Sequence, residues 1–93
     1  MFSFNLSRLE AELRIPAEEV LTQIGGLSAA DGVPVTAKQG FNGLRVSLQD
    51  GVLIEYQHKW EFFRGLALAR RVLRSGETIE EHPGFYRLGF FED

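Results

Sequence analysis

The residues able to do chemistry in this chain are few and scattered: His58, His82, the acidic pairs Glu80-Glu81 and Glu92-Asp93, the single Trp60, and four arginines at 64, 70, 71 and 74. A metal site needs three or four ligands at characteristic spacings, and the two histidines stand 24 positions apart with no third ligand in step. His58 precedes a helical pattern and His82 precedes Pro83, so both read as turn or surface residues. Carboxylate chemistry on a sugar needs two groups facing each other across the scissile bond, roughly 5 to 9 Å apart. Adjacent acids on an extended chain point to opposite faces instead. Serine nucleophile motifs, phosphate-cradling glycine loops and dinucleotide fingerprints are absent, and so is cysteine. No catalytic, cofactor-binding or metal-ligating residue is expected, and the reading is of a binding or structural module. Trp60 could stack on a sugar, but its position beside an apolar helix favours the core.

Charge and composition narrow the partners. With ten Lys and Arg against thirteen Asp and Glu, the net charge is −3, which gives no electrostatic reason to approach nucleic acid. The arginines at 64, 70, 71 and 74 read as the solvated side of a helix. The 93 residues, 44% hydrophobic and 25% charged, suit one ordinary globular core. The N-terminus lacks a basic stretch followed by an apolar run, and no segment approaches the ~18 apolar residues of a membrane span. Neither export nor a membrane partner is expected, and a cytoplasmic location is favoured.

The elements that must position these residues follow from periodicity. Phe2, Phe4 and Leu6 alternate with polar residues as in a half-buried strand. Ser7 and Glu10 have the spacing of a capping box, which predicts a helix through about Arg14 with Leu9 and Leu13 facing inward. Pro16 then opens a second helix or a kinked continuation, with Val20, Leu21 and Ile24 as its stripe and Gly25-Gly26 as its end. Residues 27–32 read as a loop. Val33 to Thr36 is β-prone, but Pro34 assigns it to an edge or a strand start. Leu44 to Leu48 and Val52 to Tyr56 flank Asp50-Gly51, the dipeptide of a tight type I′ hairpin.

Trp60 to Leu73 is the main helix, with Phe62, Leu66, Ala69 and Leu73 inward, Phe63 and Ala67 widening the stripe, and a stop near Ser75-Gly76. Phe85 to Phe91 reads as a last strand. These elements predict an α+β fold: a small antiparallel or mixed sheet with helices packed on one face.

The second half of the chain resembles a known family. Gly43-Leu44-Arg45-Val46-Ser47-Leu48, Val52-Leu53-Ile54-Glu55-Tyr56, Phe62-Phe63-Arg64-Gly65-Leu66-Ala67-Leu68 and Ile79-Glu80-Glu81-His82-Pro83-Gly84-Phe85 occur in this order. They are similar to the hairpin, helix and acidic-Pro-aromatic link of the non-catalytic N-terminal domain of family 20 glycoside hydrolases, the β-N-acetylhexosaminidases. The likeness covers about half of the chain. Gly89-Phe90-Phe91-Glu92-Asp93 is similar to the first strand of the catalytic barrel, although Leu88 stands where the family usually has Arg.

The resemblance implies a zincin-like accessory domain over residues 1–88, with 89–93 beginning a (β/α)8 barrel that would be its partner. It implies a parent enzyme that hydrolyses terminal β-linked N-acetylhexosamine with help from the sugar's own acetamide. The orienting and acid carboxylates of that reaction belong to the barrel, and the sugar-gripping Arg would follow Asp93. Cut after Asp93, the apolar terminal strand would favour self-association. A stand-alone binding or dimerisation module without activity is the alternative.

Overall fold

A computed structural model of the chain describes residues 2–81. It is α+β: strands β1 (Phe2–Asn5), β2 (Gly26–Ser28), β3 (Val33–Gln39), β4 (Leu44–Leu48), β5 (Val52–Tyr56) and β6 (Ile79–Glu81), with helices α1 (Ala11–Gln23) after β1 and α2 (Lys59–Ser75) after β5. The sheet is mixed, in the order β2-β1-β3-β5-β4-β6. β1 pairs in parallel with β2 and β3, and β3 with β5, while β4 runs antiparallel to both β5 and β6. Five strands therefore share one direction and β4 opposes them.

Both helices cover the same face. Phe4, Val35, Leu44, Val46, Val52, Ile54 and Tyr56 project from that side and are buried with Leu13, Ala17 and Leu21 of α1 and Phe62, Leu66, Ala69 and Val72 of α2. The closest approach is at Gly65, where a Cβ would lie 2.8 Å from Ile54 Cγ2 and 3.0 Å from Leu44 Cδ1. A side chain there would lift α2 off the hairpin.

The face without helices is organised by charge. Register sets Lys38 beside Glu55, Glu55 beside Arg45, and Arg45 beside Glu80, a row of alternating sign across β3, β5, β4 and β6. Arg45 Nε donates to Glu55 Oε1 at 2.7 Å, and its guanidinium also sits 4.6 Å from the centre of the Phe41 ring. Opposite charges placed directly across strands support the sheet. Ser47 Oγ on this face is buried and has no hydrogen-bond partner among the described residues.

Several expectations are corrected. No capping box forms at Ser7: its N–H donates instead to Asn5 Oδ1 at 2.9 Å, so residues 6–9 make a turn and α1 starts at Ala11 behind an extended Glu10. Leu9 and Leu13 are nevertheless buried as expected. The helix then runs unbroken through Pro16. The missing N–H deprives only the Glu12 carbonyl, on an exposed first turn where water can serve it.

Part of the expected 27–32 loop is strand β2, whose three residues are too few for a readable alternation. Leu27 on it is 54% exposed. Pro34 sits at the start of a strand, but that strand is central: its partner on one side, β1, ends at Asn5 opposite Pro34, and pairing with β5 begins one residue later at Val35.

The hairpin pairs Leu48 with Val52 and so leaves three residues in its loop, not two, although Asp50 and Gly51 both take positive φ. In α2, Phe62, Leu66 and Ala69 are buried as expected, whereas Val72 is fully buried and Leu73 only half-buried. Ala67 is exposed, and Trp60 is not core but 55% exposed. At 100° per residue Trp60 lies about 200° from Phe62, on the outer side of the helix.

Candidate functional site

In open sheets of parallel strands and helices, ligands bind outside the carboxyl ends of the strands, where successive connections leave in opposite directions. This sheet has such a point. From β1 the chain turns through α1 to β2 on one side, and from β3 it turns toward β4 and β5 on the other. A crevice of about 230 Å³ opens there, because β1 stops at Asn5 while β3 continues to Gln39. Its apolar floor is Leu9, Leu13 and Ala37, and Arg8, Glu10, Gln39 and Tyr56 supply its polar groups.

The polar groups differ in their commitments. Arg8 lines the crevice with its guanidinium partly engaged: its Nη1 lies 3.5 Å from Thr36 Oγ1 and 3.7 Å from Asp50 Oδ2. Gln39 Nε2 donates to the Gln57 carbonyl at 3.2 Å, which leaves the amide oxygen as an acceptor. Tyr56 is 6% exposed, its ring packed 5.6 Å from that of Phe62. Burial, reinforced by the charge of Glu10, raises its phenol above the ordinary value.

The rim is tied by an ion pair between Lys59, at the start of α2, and Glu12, in the first turn of α1. The hydrogen bond from Lys59 lowers the Glu12 pKa. At the same end of the molecule Glu61 is buried, and its Oε1 accepts the N–H groups of His58 at 2.6 Å and Gln57 at 3.1 Å. This fastens the first turn of α2.

The residues singled out in the sequence do not converge on this crevice. His58 is the exposed N-cap of α2. Glu80 belongs to the charged row, with its Oε2 3.9 Å from Arg45 Nη1. Glu81 points to the helix side, where Arg64 grips it through two bonds, Nε to Oε1 at 2.5 Å and Nη2 to Oε2 at 2.6 Å. Adjacent acids thus do face opposite ways.

Arg70, Arg71 and Arg74 line a shallow hollow around Ala67 on the outer side of α2. His82, Glu92, Asp93 and the expected strand at 85–91 lie outside the described residues. Among the described residues no group of three or more His, Asp or Glu side chains could hold a metal, and no helix is long and apolar enough to cross a membrane. Glu10, Gln39 and Tyr56 were not legible as site residues, because only the end of one strand beside the start of a helix brings them together.

Comparison with protein families, curated proteins and solved structures finds no match.

Proposed function

We propose that this chain is a non-catalytic α+β domain that supports the catalytic barrel of a β-N-acetylhexosaminidase of the family 20 type. One observation carries the reading. The described residues of the stretches that resemble the family, 43–48, 52–56, 62–68 and 79–81, form a single packed unit: the 44–56 hairpin receives α2 at Gly65, and Arg64 of the same helix clamps Glu81 at the end of β6. A helix that both covers the hairpin and grips the last described strand would orient whatever follows residue 81. That is the task of a domain set before a barrel.

The reading concerns support and not turnover. Among the described residues the only carboxylate lining the crevice is Glu10, so these residues do not assemble an acid and a base facing each other there. The test is the transcript downstream of Asp93. It is expected to continue into a Ser-Arg pair and a (β/α)8 barrel carrying an Asp-Glu pair, and a stop codon directly after Asp93 would overturn the proposal. A stand-alone binding module is the second reading, favoured by the crevice at the point where the strand connections diverge.

A further inference from the structure

The crevice between α1 and the carboxyl ends of β3 and β5 has a charge and a shape that select one kind of ligand. The Glu10 side chain forms no ion pair or hydrogen bond to any described residue. Lys59 is paired with Glu12, and Arg8, which also lines the crevice, with Asp50 at 3.7 Å, so Glu10 is the charged group of the lining left unpaired among the described residues. Tyr56 adds a second and independent sign. Its ring is buried, the residue being 6% exposed, while its hydroxyl opens into the crevice without a hydrogen bond to any described residue. With the Gln39 amide nitrogen committed to Gln57, the acceptors that face the crevice are the Glu10 carboxylate, the Gln39 amide oxygen and the Tyr56 hydroxyl, beside the Arg8 guanidinium on its wall.

An anion does not suit this place. The positive end of the α1 dipole already faces the carboxylates of Glu10 and Glu12, and a third negative group would meet both. The geometry points to this crevice as a binding site for a primary ammonium on a short aliphatic stem, the chemistry of a lysine side chain or a small free amine. The three protons of an ammonium match three acceptor oxygens, and the stem lies over Leu9, Leu13 and Ala37. The inference stands independently of whether a barrel follows the chain.

The experiment is a titration of the 93-residue chain followed by amide NMR, with three probes: n-butylamine, Nα-acetyl-lysine methylamide and the neutral n-butanol. Saturable shifts centred on Leu13, Gln39 and Tyr56 are expected for both amines and not for the alcohol. Tighter binding of the lysine derivative assigns the site to a lysine side chain, and tighter binding of butylamine to a free amine. Glu10→Gln, which keeps shape and removes charge on an exposed residue, should weaken binding about tenfold or more, as loss of a charge-assisted hydrogen bond does. Tyr56→Phe should weaken it by a smaller factor. Equal shifts with butanol, or butylamine binding unchanged in Glu10→Gln, would overturn the assignment.

Discussion

Glu61 is a charged residue at 1% exposure, and two backbone N–H groups at the entrance of α2 make that position tenable. Removing the carboxylate strands those donors and empties the space, so Glu61→Ala is expected to cost about 2–3 kcal/mol. Thermal unfolding should show this as a fall of roughly 10 °C or more. Gly65→Ala pits two effects against each other: alanine favours the helix by about 1 kcal/mol, but overpacking a core costs about 1–3 kcal/mol. Because the added Cβ would meet side chains of Ile54, Leu44 and Val46 within 3.2 Å, crowding should win and the melting temperature should drop. A rise would mean that the hairpin yields at that point.

Tyr56 sets an alkaline limit. Its folded pKa is raised by burial first and by Glu10 second, against a small opposing effect of Lys59. A folded pKa above the unfolded one stabilises fully below the unfolded value, about 10, and that contribution is lost as pH rises through the folded value. Urea midpoints measured across this range should decline less steeply in Tyr56→Phe than in the parent. Identical slopes would place the alkaline sensitivity elsewhere.

The two long elements of the second half, the hairpin and α2, were the most legible in the sequence, and for a physical reason. Leu44, Val46, Val52 and Ile54 alternate over long enough runs to declare a face, and Phe62, Leu66 and Ala69 repeat at helical spacing against it. The structure departs from the sequence pattern where an element is short or where one local contact displaces another. β2 has three residues, and Ser7 lost its capping role because Asn5 reached its N–H first. Trp60 is a large aromatic at the edge of a helical pattern, and its angle on α2, not its apolar character, sets it outside the core.

The clamp between α2 and β6 makes a testable element. Arg64 and Glu81 are bidentate, but the Arg64 side chain is 49% exposed, so the pair is expected to add little global stability. Its effect should be local: Arg64→Ala should speed amide exchange in residues 79–81 while leaving the urea midpoint nearly unchanged. If exchange there is unaltered, β6 is held by its pairing with β4 alone.

At the scale of the whole molecule the question is whether the two halves are one cooperative unit. The first half, β1 through β3, and the second, β4 through β6, are joined chiefly by the parallel pairing of β3 with β5 and by helix contact between α1 and α2. The seam is tight at Gly51. Its φ is +105°, and a Cβ there would come within 2.4 Å of the Pro34 carbonyl oxygen, a backbone atom that cannot swing aside. Gly51→Ala therefore combines an unfavourable backbone conformation with a main-chain clash, for which about 2–4 kcal/mol is a reasonable scale. Trp60 lies in the second half, on the outer side of α2, so its fluorescence reports that half, whereas far-UV circular dichroism reports both. In one cooperative domain the two signals should shift together in urea, with an unchanged dependence on denaturant concentration. If the Trp60 transition stays where it was while the circular dichroism transition splits, the hairpin and α2 are stable without β3, and the chain is two units sharing a sheet.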